Sequence, residues 1–123
     1  PEGGYFSESF RDKNNNVSLI YYLLKQDQKS HWHRLTKNEI LHFYDGYPLN
    51  VHISENSKTQ YTKILGKNIS NNENLHLVVT SGSWFSMTSS GLFSLIGCTV
   101  APGFNYSDFE LAPKNWQPKT ESA

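Results

Sequence analysis

The chain alternates apolar and polar residues over short stretches that are separated by polar or glycine-containing turns. A period of two is typical of a half-buried β-strand, and β-branched and aromatic residues are frequent in these stretches. The run at 17–24 has a short helix as its alternative, but it lacks a helix cap and a 3.6-residue period. The predicted strands are residues 5–11, 17–24, 30–34, 39–44, 47–54, 60–65, 75–79, 84–88 and 92–101. Short, numerous strands without a convincing helix predict an all-β closed barrel or jelly roll.

The stretch from Ser30 to Gly46 carries the clearest candidate chemistry. His31 and His33 are two residues apart, so on one strand both imidazoles point to the same face. Glu39 opens the next strand, which ends at Asp45-Gly46 with a hairpin signal. We expect two neighbouring antiparallel strands to bring both imidazoles and the carboxylate together inside the barrel. The alternative is a polar cross-strand network in which hydrogen bonds satisfy each histidine.

The C-terminal part of the chain divides into an aromatic segment and a polar tail. Residues 104–111 carry apolar side chains that require burial, so we expect this segment to pack across the barrel near its mouth. Residues 112–123 are polar and spaced by prolines, and they predict a tail that frays except where Trp116 finds a surface. The predicted organisation is therefore a single domain over residues 1–111 followed by this tail.

Composition and charge exclude several classes of protein. At 123 residues the chain is long enough for one core. Its formal net charge is zero, so it lacks the excess of positive charge that is typical of nucleic-acid-binding proteins. No apolar run approaches the ~18 residues of a membrane span. Cys98, the single cysteine, excludes an internal disulfide framework and is expected to be a buried, inert thiol in an apolar strand. These features predict a soluble, cytoplasmic protein with neither a nucleic-acid nor a membrane partner.

Blocks along nearly the whole chain resemble, in order, a small family of the cupin superfamily long catalogued as a domain of unknown function. The blocks are residues 1–6, 21–24, 30–34, 39–44 and 97–111. The first cupin motif is similar to the pattern of His31, His33, Glu39 and Gly46, with six residues between Glu39 and Gly46. The gap between His33 and Glu39 is longer than the family's usual pattern.

The resemblance implies a double-stranded β-helix (jelly-roll) barrel, a homodimer, and a pocket like that of the sugar-nucleotide epimerases of the superfamily. His31, His33 and Glu39 would form a two-histidine, one-carboxylate set suited to a divalent metal such as Fe, Mn, Zn or Ni. Three departures qualify this expectation. The family's N-terminal helix is missing, Ser7 stands where the family tends to have arginine, and no histidine follows the turn at 80–83, so the usual fourth ligand is absent.

Without a metal, the same residues predict an acid–base group. His31 or His33 would be the base, Glu39 would orient it, and Tyr22 or Tyr44 would be the acid, as epimerisation beside a carbonyl requires.

The expected ligand-binding residues are Glu2, Arg11, Trp84, Phe85 and Phe104, whose aromatic members would stack on a sugar or nucleobase. The alternatives are turn geometry for Glu2 and a surface ion pair for Arg11.

Three functions follow from these residues. The first is an isomerase or epimerase-like activity on a carbohydrate or nucleotide-linked small molecule. The second is a small-molecule sensor or carrier that uses the same pocket without turnover. The third, a metal-dependent dioxygenase, is weakened by the missing histidine. The sequence leaves open whether the protein is an enzyme.

Overall fold

A computed structural model describes residues 3–119 and shows eleven β-strands in that range. The only helical segments there are two 3₁₀ turns, Ile69–Asn71 and Tyr106–Asp108. The all-β prediction is confirmed, and the bounds of β1 are the predicted ones. The strands are β1 Tyr5–Arg11, β2 Ser18–Lys25, β3 Ser30–Leu35, β4 Glu39–Gly46, β5 Leu49–Ser54, β6 Tyr61–Leu65, β7 Glu73–Asn74, β8 His76–Val79, β9 Trp84–Ser89, β10 Phe93–Val100 and β11 Phe109–Leu111.

The strands form two sheets around one core. The first sheet has the order β1-β2-β10-β4-β8, and the second has the order β11-β3-β9-β5-β6-β7. Strand pairs are antiparallel except β6 with β7. Side chains of both sheets, among them Leu41 and Ile96 from the first and Val51 and Met87 from the second, bury one apolar cluster. This is the layered arrangement of a jelly roll.

The two strands that carry His33 and Glu39, β3 and β4, do not pair with each other as the sequence predicted. β3 pairs with β11 and β9, whereas β4 pairs with β10 and β8, so β3 and β4 lie in opposite sheets rather than side by side. Asp45-Gly46 does not make a hairpin either, because β5 belongs to the second sheet. Gly46, at a φ of 89°, instead ends β4 just before the chain crosses between the sheets. The sequence signal marked a turn correctly but could not say which strands it joins.

Two irregularities change which side chains face inward. In β3, Ser30 pairs with Met87 and His33 with Phe85, so two residues of β3 oppose one residue of β9. In β1, Glu8 pairs with Ile20 and Phe10 with Leu19, which leaves Ser9 as an extra residue. A β-bulge of this kind reverses the inside–outside alternation beyond it. Both bulges lie next to the cavity described below.

The C-terminal segment packs on the outside of the second sheet as far as the structure describes it. Trp116 contacts Trp32 and Trp84, with ring centroids at 6.0 and 4.7 Å respectively. Pro118 is fully buried, and the Lys119 N–H donates to the Ser57 carbonyl at 3.2 Å. Trp116 therefore finds the surface that was expected of it, and the ordered packing continues beyond it to residue 119.

Candidate functional site

A cavity of about 130 Å³ opens between β1, β2, β4 and β10 of the first sheet and β3 of the second, with the chain from 103 to 109 along its mouth. Most of the side chains that line it are apolar, and the exceptions include two glutamates, an arginine and a histidine. The lining residues are Phe6, Glu8, Arg11, Ser18, Ile20, His33, Leu35, Glu39, Cys98, Val100, Phe104, Tyr106 and Phe109. The cavity is therefore an apolar chamber with a few defined polar groups.

His33 is the buried imidazole of the cavity, with 4% of its surface exposed. Its Nδ1–H donates to the His31 carbonyl oxygen at 2.7 Å, since a carbonyl can only accept. The ring packs against Phe85 at 4.1 Å and is stacked on Phe109 at 5.6 Å between centroids. These contacts hold the ring in one orientation, as a ligand-contacting or proton-transferring group requires.

Glu39 is the carboxylate of the cavity and comes from the opposite sheet. It is the first residue of β4, is paired with Val100 and Val79, and is 8% exposed. His33 lies on β3 in the second sheet, so the imidazole and the carboxylate reach the cavity from opposite sides of the barrel.

The mouth segment, residues 103–109, contributes the rings of Phe104, Tyr106 and Phe109 to the cavity lining. Polar side chains attach it at one end, where Arg11 Nη1 donates to the Phe104 carbonyl and Lys37 Nζ to the Gly103 carbonyl, each at 2.8 Å.

The other end of the mouth segment is attached through Asp108, which accepts hydrogen bonds from Thr36 and Lys37 at 2.8 Å. Hydrogen bonding to Lys37 and Thr36 holds the pKa of the Asp108 carboxyl below its ordinary value, so the carboxylate form is favoured. The mouth segment is therefore fixed at both ends.

Arg11 contributes to the cavity wall mainly as a structural group. Its Nε and Nη2 donate to the same oxygen of Glu8 at 3.1 and 2.8 Å, and its Nη1 also donates to Asn15 at 2.6 Å. With the bond to the Phe104 carbonyl, most of the five N–H donors of the guanidinium are used. Arg11 is therefore better suited to joining β1 to the mouth segment than to capturing an anion.

Several predicted site residues lie elsewhere. His31 is outside the cavity lining, and its Nε2 hydrogen-bonds the Pro113 carbonyl at 2.9 Å. Tyr22 is buried in the core, where its hydroxyl donates to the Gly3 carbonyl. Tyr44 is 51% exposed and stacks on His42 at 6.4 Å. The bulge in β3 explains why His31 and His33 do not face the same way, because it breaks the two-residue alternation on which the prediction depended.

The residues that were predicted to bind the ligand also fall into two groups, those at the cavity and those away from it. Phe104 lines the cavity, and Phe85 lies behind His33. Trp84 packs with Trp32, Ala112 and Trp116 in a separate cluster on the outside of the second sheet. The Arg34 guanidinium lies 4.4 Å from the Trp84 ring centroid. Glu2 lies outside residues 3–119.

The expected three-ligand metal site is not assembled by the part of the chain that the structure describes. Across residues 3–119, no three His, Cys, Asp or Glu side chains come close enough together to hold a metal ion. Of the expected ligands, His33 and Glu39 share the cavity and His31 does not. The donor set as folded does not fit a two-histidine, one-carboxylate centre.

Sequence reasoning missed Glu8, Phe109 and the cavity position of Cys98. The alternation of Phe6 and Glu8 on β1 was a usable signal for a shared inward face, but the bulge at Ser9 hid its continuation to Arg11. The stacking of Phe109 on His33 depends on the pairing of β11 with β3, which nothing local in the sequence specifies.

Comparisons with known proteins agree with this architecture. The family model described as "Cupin superfamily (DUF985)" matches residues 1–112. A crystal structure from Shewanella oneidensis is 35% identical, with a TM-score of 0.84 over 90% of this chain and 75% of that one. A hypothetical protein from Leishmania major is 27% identical, with a TM-score of 0.81 over 91% and 79% of the two chains.

More distant structures share the fold alone. Oxalate decarboxylase from Bacillus subtilis is 16% identical, with a TM-score of 0.73 over 89% of this chain and 28% of that one. No functionally curated protein matches the chain significantly. Among residues 3–119 there is no helix whose length and apolar character suit a membrane crossing.

Proposed function

The chain belongs to the DUF985 family of the cupin superfamily, and from the cavity in its barrel we propose that it binds a small organic molecule. The volume of about 130 Å³ is below the ~300–1,000 Å³ of sites for drug-sized ligands. Apolar protein cavities of about 150 Å³ bind benzene, so the cavity suits one six-membered ring. A nucleotide-sugar would place only one of its rings inside.

The observation that carries the proposal is the pair of polar side chains, His33 and Glu39, in an otherwise largely apolar cavity. Apolar walls provide most of the burial, and a small number of placed polar groups orient a ligand and give specificity. The ligand class is therefore a ring that bears a hydroxyl or carbonyl group within reach of His33 and Glu39.

An isomerase or epimerase-like reaction on a ring carbohydrate is the second candidate. Epimerisation beside a carbonyl needs a base that removes the C–H proton and an acid that returns one to the opposite face. His33 and Glu39 come from opposite sheets, and this arrangement favours them over Tyr22 and Tyr44, which lie outside the cavity lining. A metal-dependent dioxygenase has no comparable support, and no step is assigned to a metal.

Binding is tested by ligand-observed NMR with phenol and cyclohexanone. The wild-type protein is compared with His33→Gln and with the control His31→Gln, which changes the neighbouring histidine outside the cavity. We expect saturation transfer to the probes to be lost in His33→Gln and kept in His31→Gln. Equal signals in both variants, or none in the wild type, would contradict the proposal.

Catalysis is tested in the same cavity by proton exchange. Ring ketoses and ketosugars are incubated in ²H₂O, and deuterium at the carbon beside the carbonyl is measured with wild type and Glu39→Gln. Incorporation that Glu39→Gln abolishes supports the isomerase. Binding without incorporation assigns the site to a sensor or carrier.

The homodimer that the family resemblance implies has a candidate face on the outside of the first sheet. Tyr5, Phe10, Tyr21, Tyr44 and Val78 are each about half exposed there. Large exposed apolar patches mark interaction sites, and a chain of zero net charge is not repelled by a second copy.

The assembly is tested by analytical ultracentrifugation of wild type, Tyr21→Lys and Tyr61→Lys. Tyr61, 42% exposed on the second sheet, is the matched control. A dimer in wild type and Tyr61→Lys but a monomer in Tyr21→Lys is expected, and a monomeric wild type would contradict the assignment.

A further inference from the structure

A second, open groove of about 500 Å³ lies on the outer side of the mouth, between β1, the turn that follows it and the mouth segment. Its lining differs from that of the cavity, because five of its seven lining residues carry a charged or an amide group. The groove is lined by Arg11, Asp12, Lys13, Asn15, Phe104, Asn105 and Tyr106. We propose that this groove is a second subsite that takes the hydroxyl-rich, carbohydrate-like part of a ligand whose other ring enters the cavity.

The inference rests on the proposed function, since it extends the same site. Arg11, Phe104 and Tyr106 line both the cavity and the groove, so the two spaces share a wall. Tyr106 is 64% exposed and its ring lies at 5.1 Å from that of Phe104, edge to face. A molecule that passes the rim at Tyr106 therefore reaches both spaces.

The turn after β1 forms one side of the groove, and hydrogen bonds within the protein preorganise it. The Asp12 carboxylate accepts from the backbone N–H groups of Asn14 and Asn16, each at 3.2 Å, and from the Asn16 side chain at 2.8 Å. Arg11 holds Asn15 at 2.6 Å, and the Gly103 N–H donates to the Asn15 carbonyl at 2.9 Å. A preformed wall reduces the ordering entropy that binding must overcome.

The chemistry of the groove favours a neutral, hydroxyl-bearing group over an anion. Arg11 is already paired with Glu8, and Lys13 is accompanied by Asp12, so the positive charges are balanced locally. The groove adds an exposed tyrosine ring beside side chains that can donate and accept hydrogen bonds. Sugar hydroxyls need such donors and acceptors, and the apolar face of a sugar ring fits against an aromatic side chain.

The experiment uses three probes: phenol, methyl β-D-glucoside and 4-hydroxyphenyl β-D-glucoside, whose phenolic hydroxyl keeps the polar group that the cavity requires. Affinities are measured by ¹H–¹⁵N correlation NMR on the full chain, with wild type, Lys13→Ala and the control Lys63→Ala. Lys13 lines the groove only, whereas Lys63 is exposed on β6 in the second sheet. Neither substitution removes a buried group.

We expect 4-hydroxyphenyl β-D-glucoside to bind wild type at least about tenfold more tightly than phenol. Lys13→Ala should weaken the binding of 4-hydroxyphenyl β-D-glucoside several-fold and leave that of phenol unchanged, and Lys63→Ala should change neither. The amide signals of Lys13 and Asn105 should shift with both glucosides and stay in place with phenol.

The outcomes separate the two proposals. If phenol does not bind, the cavity proposal fails, and the groove is then judged by whether methyl β-D-glucoside shifts the Lys13 and Asn105 signals. If phenol binds but the glucoside binds no more tightly, or if Lys13→Ala has no effect on it, the second subsite is overturned.

Discussion

The crossing from the first sheet to the second can be tested at Gly46, the last residue of β4. Gly46 has a φ of 89°, and a Cβ built there would lie 2.5 Å from the Phe93 carbonyl oxygen. That oxygen belongs to the backbone of β10 and accepts a hydrogen bond from Tyr47 N–H at 2.8 Å, so it cannot move independently. Gly46→Ala therefore introduces both backbone strain and a steric clash.

Gly82 provides a matched control with nearly the same φ. Its φ is 82°, but a Cβ there would meet no atom within 4 Å. An L-residue at positive φ costs about 1–2 kcal/mol, and this strain is shared by Gly46→Ala and Gly82→Ala. Forcing an added group into a packed site costs a further ~1–3 kcal/mol, which applies at Gly46 only.

The measurement is the free energy of unfolding from urea titration, for wild type and both variants. We expect Gly82→Ala to lose about 1–2 kcal/mol and Gly46→Ala to lose about 2–5 kcal/mol. Equal losses would refute the reasoning, because they would show that the Phe93 carbonyl moves away at no cost. Fitted m-values must agree among the three proteins for the comparison to be valid.

Three further predictions concern protonation, the mouth segment and metal. Partial burial and, to a smaller extent, the charge of Lys29 lower the pKa of His52 from its ordinary 6.5. The folded protein therefore favours the neutral imidazole, and the stability that this residue contributes is complete above pH 6.5 and is lost as the pH falls. His52→Gln should accordingly flatten the rise in melting temperature between about pH 5 and 7. Lys37→Met should cost about 0.5–1 kcal/mol near pH 7. This difference should shrink under acid as Asp108, whose depressed pKa lies below 3.8, becomes protonated, and only the bond from Lys37 to the Gly103 carbonyl should then remain to be lost. Elemental analysis of chelator-free protein should find metal well below one equivalent, and a stoichiometric metal that disappears in His33→Gln would contradict this.

The strands were predictable from the sequence because alternation is a local property. The bounds of β1 and the hairpin of β5 and β6 follow from residues that are neighbours in the chain. Sheet membership is not local, since β4 is placed between β10 and β8 by contacts with distant strands. The sequence therefore predicted the fold class well but assigned β3 and β4 to the same sheet.

The candidate site shows the same limit at the level of single residues. Reading inward and outward positions from sequence assumes that each strand keeps its period of two from end to end. In β3 the extra residue breaks the period between Ser30 and His33, and in β1 the extra Ser9 moves the inward face from Glu8 to Arg11. His33 and Arg11 both lie just beyond such a bulge and both line the cavity. Bulges re-aim side chains next to functional sites, so the positions where the sequence pattern failed are themselves an argument that this cavity is the functional part of the barrel.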